Sequence, residues 1–251
     1  MIHSFLLIGQ SNAAGRGFLS EAEPLNTNDG KLKVLRNGRW QQMFRPVNPD
    51  RGFSGTCFAE SFAKAYSDDH PDVDVGIIPC ADGGTTLEQW QPGGLLFDNA
   101  VNCAKLAMRT SYIVGILWHQ GESDCREERY PLYCERFQKI MDTLKKELNL
   151  PDVPVLLGGL GDYLPECDHL ADLKNYTKVN DALKKLADDN KNCAFVSAEG
   201  LGSNPDKLHF NAEALKEFGL RYYEELRKLD TYTDFEETKE DDSIRTKMEL
   251  L

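Results

Sequence analysis

The chain has 251 residues, 41% of them hydrophobic, with a formal net charge of −12. This suits a soluble α/β protein with a sizeable core, and the acidic balance excludes a nucleic-acid partner, whose phosphates would be repelled. No apolar stretch approaches the roughly 20 residues that span a bilayer, so no membrane partner is expected.

Met1 leads at once into a short apolar strand, with no basic region and no small-residue cleavage site, so no signal peptide is read there. Seven cysteines are scattered without a Cys-x-x-Cys pair. They read as reduced, mostly core thiols of a cytoplasmic protein.

Short apolar runs alternate with amphipathic stretches along the chain. Strands are expected at Ser4–Ile8, Val73–Ile78, Ile113–Trp118, Val155–Leu157 and Ala194–Ser197. Helices are expected at Cys57–Asp68, Leu95–Ala107, Glu128–Leu148, Leu170–Asp189 and Ala212–Leu229. Leu173, Tyr176, Val179, Leu183 and Leu186 share one face of the fourth helix. Asn211 is positioned to cap the last. Strands separated by such helices imply right-handed crossovers and a parallel sheet of about five strands.

Asn37-Gly38, between two short β-like runs, is a hairpin signal, read as an excursion from that sheet. Residues 1–230 read as one domain. From Asp230 onward, three Lys or Arg face eight Asp or Glu, so five of the twelve net negative charges lie at the end. The segment 231–251 is therefore expected to be a disordered acidic tail.

In a parallel sheet, chemistry collects where loops leave the carboxyl ends of strands. Four loops there are rich in polar residues. Gly9-Gln10-Ser11-Asn12 follows the first strand; it is either an ordinary capped turn or a turn that exposes a serine nucleophile. It matches neither phosphate-loop pattern. Cys80-Ala81-Asp82-Gly83-Gly84-Thr85 offers backbone N–H groups that can bind an oxyanion. Trp90, just beyond, can stack on a sugar or pack in the core.

Trp118-His119-Gln120-Gly121-Glu122-Ser123-Asp124 ends the third strand. Gln120 carries an amide that can point into a site. His119, Glu122 and Asp124 lack zinc spacing, so no metal is expected. Asp206-Lys207-Leu208-His209 supplies an imidazole suited to proton transfer and a carboxylate to orient it. His3, His70 and His169 read as solvated.

Taken together, these four segments resemble the SGNH hydrolase superfamily. They are most similar to its sialate O-acetylesterase and acetylxylan esterase branch, carbohydrate esterase family six. The matching blocks are GQSN, a Gly-Gly-Thr segment ending in Trp, HQGE-x-D and D-x-x-H, in order from Gly9 to His209. The wider superfamily has Asn in the third block, where Gln120 stands here as in this branch.

The resemblance implies an α/β fold, a three-layer α/β/α sandwich around a flavodoxin-like sheet. It implies Ser11 as nucleophile, His209 as general base and acid, and Asp206 as its orienter. Ser11, Gly83 or Gly84, and Gln120 would form the oxyanion hole. Gln10, Asn12, His119 and Glu122 would shape the pocket or brace these groups, and Trp90 is a candidate substrate contact. No cofactor is needed, and the expected partner is an acetylated carbohydrate.

A lysophospholipase or thioesterase reading would require an apolar acyl groove, and Trp40, Trp90 and Trp118 favour a sugar instead. An acyl-chain-length series separates the two. A non-catalytic carbohydrate-binding protein would bind sugar without turnover, and a serine-directed fluorophosphonate tests it. Oligomeric state is encoded in no pattern of the chain.

Overall fold

Strand β1, Ile2–Gly9, is buried from His3 onward. Such a continuous buried run suits the middle of a parallel sheet covered on both faces. A computed structural model of the protein describes residues 1–168 and 170–230; His169 and the acidic segment 231–251 lie outside the described residues.

After β1 come α1 (Ser11–Ala14), β2 (Leu32–Arg36), β3 (Arg39–Gln42), α2 (Phe58–Asp69), β4 (Asp74–Pro79) and α3 (Leu95–Ala107). Then follow β5 (Tyr112–His119), α4 (Tyr133–Leu148), β6 (Val155–Gly158), α5 (Tyr176–Asp189), β7 (Cys193–Val196) and α6 (Ala212–Leu226). The sheet order is β3-β2-β4-β1-β5-β6-β7. All pairings are parallel except β2 with β3. Helices α2 and α6 pack together, while α3, α4 and α5 pack in succession.

The five expected strands are present, yet the sheet has seven. The Asn37-Gly38 hairpin is no excursion: β2 pairs in parallel with β4, Leu32 opposite Val75 and Val34 opposite Ile77. Leu32 and Val34 are fully buried, so joining the sheet covers their side chains and the open edge of β4 together. Asn37 (φ 53°) and Gly38 (φ 75°) both have the positive φ that the tight turn requires.

Two helices begin later than their apolar period implies. Pro131 lies in a single 3₁₀ turn, Tyr130–Leu132, and α4 starts only at Tyr133; proline restricts the residue before it and donates no N–H. A 3₁₀ stretch, Ala171–Asn175, likewise precedes α5. Asn211 caps α6 as expected, accepting from Ala214 N–H at 2.8 Å.

Candidate active site

β4 and β5 flank β1, so the loops that leave Gly9, Pro79 and His119 meet at one edge of the sheet. Asp206–Phe210, just before α6, meets them there. Ser11 opens α1 and is 7% exposed. Its Oγ lies 3.0 Å from His209 Nε2, and His209 Nδ1 lies 2.7 Å from Asp206 Oδ2.

The loop around His209 is built by the same carboxylate. Asp206 Oδ1 accepts from the N–H groups of Leu208 (2.9 Å) and His209 (3.0 Å), while Lys207 adopts a positive φ of 55°. One oxygen thus shapes the turn and the other holds the imidazole. Burial raises the Asp206 pKa, but the hydrogen bonds from the His209 ring and from the two N–H groups outweigh it, and the net shift is downward. An ionised carboxylate only accepts, so Nδ1 carries the proton and Nε2 is left to accept from the Ser11 hydroxyl.

Asn12 joins this loop to the serine loop. Its Nδ2 donates to Leu208 O at 3.2 Å and to Glu122, and its Oδ1 accepts from Phe210 N–H at 3.1 Å.

The Gly83-Gly84 loop is held by two residues that sequence reasoning missed. Arg16 and Asp50 form a bidentate pair at 2.9 and 2.7 Å, with side chains only 5% and 3% exposed. Asp50 also accepts from Ser54 (2.8 Å) and from Gly83 N–H (2.9 Å). The Gly83 N–H is therefore taken. The N–H groups of Gly84 and Ser11 have no hydrogen-bond partner among the described residues. Nothing lies within 4 Å of where a Gly84 Cβ would stand.

Burial raises the Asp50 pKa, but the bonds from Arg16 and Ser54, the Arg16 charge and the Gly83 N–H bring the net shift down. Its stabilising contribution is therefore complete above the ordinary carboxylate range and is lost as pH falls through the lowered value. Asp50→Ala leaves Arg16 buried and unpaired, and is expected to cost about 3–5 kcal/mol. Urea denaturation checks this, and the variant's stability should fall less steeply in acid than the wild type's. An unchanged midpoint at neutral pH contradicts the expectation.

Ser11, Gln10, Gly83, Gly84, Glu122 and His209 line one cleft of about 510 Å³. Phe53, 72% exposed, stands at its edge over the Arg16 guanidinium, 5.2 Å from the ring centroid. A second cleft, of about 480 Å³, lies beside the N-terminal ends of α2 and α6. Its one thiol, Cys57, is fully buried, and burial followed by the Glu60 charge pushes its pKa up, so no activated nucleophile stands there.

Several expectations for substrate contact are corrected. Trp90 is 1% exposed; it donates to Thr85 Oγ1 at 3.0 Å and packs edge-on against Trp118. It is a core residue, as is Trp118. His119 is fully buried against Phe210 and Phe218, with Nε2 3.1 Å from Gly159 O. Burial, foremost among its causes, lowers its pKa and keeps it neutral.

Gln120 is also fully buried, and its Nε2 donates to Asp124 Oδ2 (2.6 Å), Thr85 O (3.0 Å) and Gln10 Oε1 (3.2 Å). Its amide does not reach the cleft. His3 and His70 are not solvated but buried around Tyr66.

All seven cysteines are free thiols, four of them buried. Among the described residues, no group of three or more His, Cys, Asp or Glu is arranged to hold a metal. No helix among them is long and apolar enough to cross a membrane.

A parallel sheet with helices on both faces, its polar loops converging at the carboxyl ends of central strands, is the architecture of the SGNH-type hydrolases. A family model described as carbohydrate esterase, sialic acid-specific acetylesterase, matches residues 1–228, and the chain belongs to that family. Membership makes it a carbohydrate acetylesterase, a carboxylic ester hydrolase.

An Arabidopsis thaliana protein named a probable carbohydrate esterase is 28% identical over 239 residues, covering 86% of both chains. A solved structure of an Arabidopsis thaliana protein superposes with a TM-score of 0.80 at 26% identity, over 90% of this chain and 98% of that one. The structure of NanS superposes at 0.71 and 17% identity, over 89% and 95%, a likeness that shows the fold alone.

Proposed function

We propose that the chain is a serine esterase that removes O-acetyl groups from carbohydrates through an acetyl-enzyme on Ser11. The observation that supports this best is the run of contacts from Ser11 Oγ to His209 (3.0 Å) and from His209 to Asp206 (2.7 Å). Ser11 Oγ attacks the acetyl carbonyl carbon while His209 Nε2 takes the hydroxyl proton. Asp206 holds the ring and stabilises the imidazolium that forms. The N–H groups of Ser11 and Gly84 donate to the oxyanion. Collapse breaks the bond to the sugar oxygen, which takes the proton from His209. Water then attacks the acetyl group with His209 again as base, releasing acetate and restoring Ser11.

The cleft favours an acetylated sugar that also carries an anionic group. Arg16 and Arg51 are engaged by Asp50 and Asp82. Arg129 donates to Ser123 O at 2.8 Å and has no carboxylate partner among the described residues. Arg126 makes only long ion pairs, 3.6 Å to Asp172 and 4.0 Å to Glu128. Arg126 and its partner Asp172 both line the cleft, as does Glu122, so Arg129 is the cation there that marks a place for a carboxylate. The family's description as sialic acid-specific points the same way, and Phe53 offers an exposed ring for a sugar face.

Acetate release from O-acetyl sialic acid, acetylxylan and neutral acetylated sugars tests this. The O-acetyl sialic acid is expected to be cleaved most efficiently. Arg129→Gln should raise KM for it roughly tenfold, the value of one charge-assisted contact. Equal rates on acidic and neutral sugars reject the anionic reading, and faster cleavage of octanoyl than acetyl esters rejects the acetylesterase.

A further inference from the structure

Gln10 has one end pinned and the other free. It is 3% exposed and directly precedes Ser11, and its own N–H donates to His119 O at 2.9 Å. Its Oε1 accepts from three donors: Gln120 Nε2 (3.2 Å), Gly121 N–H (3.3 Å) and Ser123 N–H (3.3 Å). Two of these are backbone N–H groups, which can only donate. The end facing them is therefore the oxygen, and the orientation of the amide is decided by its partners.

The NH₂ end has no hydrogen-bond partner among the described residues. It is also absent from the fully buried polar atoms that lack one. Gln10 lines the cleft with Ser11, Gly84 and His209, so the free NH₂ opens onto it.

Gln120 is placed differently. Its two amide hydrogens are shared among three buried acceptors, of which Asp124 Oδ2 also accepts from Leu87 N–H at 3.0 Å. Turning that amide toward the cleft would leave Thr85 O without a donor, at about 1–3 kcal/mol, and take one donor each from Asp124 Oδ2 and Gln10 Oε1.

We propose that the Gln10 side-chain amide is the third donor to the oxyanion formed at Ser11, and that Gln120 is a positioning residue that holds it. This rests on the serine-esterase reading above. The donor set is then Ser11 N–H, Gly84 N–H and Gln10 Nε2. Three bonds to Oε1 fix the amide before substrate arrives, which is the preorganisation that makes such donors effective. Gln120 Nε2 donates to both Gln10 Oε1 and Asp124 Oδ2, and so ties the Gln10 amide to a buried carboxylate.

The test compares wild type, Gln10→Glu and Gln10→Met on p-nitrophenyl acetate, with Tm measured for each. Gln10→Glu keeps an acceptor for Gly121 and Ser123 but exchanges the donor for a negative charge that an oxyanion bound there could not tolerate, whereas Gln10→Met removes the donor without adding charge. Loss of one oxyanion donor should lower kcat roughly 100- to 1,000-fold in Gln10→Met and at least as much in Gln10→Glu, with KM nearly unchanged. Gln120→Met should lower Tm, because it leaves the Thr85 carbonyl without a donor and loosens the hold on Gln10 Oε1.

A folded Gln10→Glu that keeps kcat within about threefold overturns the assignment, since one such donor is worth far more. So does a Gln120→Met that loses kcat with Tm intact while Gln10→Glu stays active. A wild-type chain that neither releases acetate nor is labelled at Ser11 by a fluorophosphonate overturns the serine-esterase reading itself. An active wild type with a fully active Gln10→Glu overturns the oxyanion assignment alone.

Discussion

Ser11→Ala is expected to lower kcat for acetate release roughly 10⁶-fold, and His209→Ala by about the same amount. The double variant should be no worse than either, because nucleophile and base act as one unit. Ser11 Oγ is 3.0 Å from the imidazole, whereas the other hydroxyls lining the cleft, Thr86 and Ser123, have no hydrogen bond to a ring nitrogen, so neither can substitute. Asp206→Asn should cost less, roughly 10⁴-fold: its amide still reaches Nδ1 but favours the wrong tautomer. Steady-state kinetics with each purified variant, alongside fluorophosphonate labelling, checks the series. Ser11→Ala that retained more than about 1% of kcat would sink the nucleophile assignment, because no triad knockout leaves so much. Additive effects of Ser11→Ala and His209→Ala would show that the two do not act together.

Ser11, Asp206 and His209 were legible because each sits in a short motif at a strand end or helix entry, where local chemistry shows in the letters. Direction was harder to read. Trp90, His119 and Gln120 are polar-tipped or aromatic residues of the second and third polar segments, and all three face inward. Gln120, for example, bonds to Thr85 and to Gln10, 110 positions away.

Gly83 and Gly84 could not be separated by sequence because the difference lies outside their loop. Asp50, 33 residues earlier, takes the Gly83 N–H. Asp50 and Arg16 lie in irregular stretches with no periodicity, so nothing in their spacing announces a buried ion pair. The hairpin was visible in Asn37-Gly38, but its place in the sheet depends on β4, and pairing between distant strands has no local signature.

Gly9→Ala is expected to damage both stability and the site, and its contrast with Gly84→Ala separates two causes. Gly9 has φ +134°, and a Cβ there would stand 2.0 Å from the carbonyl oxygen of His119. Gly9 pairs with His119 across β1 and β5, and that carbonyl also accepts the Gln10 N–H. No flexible side-chain end can yield, so the central strands must part just below Gln10 and Ser11. The φ alone costs about 1–3 kcal/mol, and the clash adds to it.

Gly84 also has positive φ, +78°, but open space where a Cβ would go. Gly84→Ala should therefore lose only about 1–2 kcal/mol, the left-handed penalty without a clash. Urea midpoints should fall in the order wild type, Gly84→Ala, Gly9→Ala, with the last also losing most of its kcat and fluorophosphonate labelling. If the two alanine variants were equally stable, the contact of β1 with β5 at Gly9 would not be what holds the serine loop in place. The support for Ser11 would then have to come from the Asn12 contacts to Glu122, Leu208 and Phe210 instead.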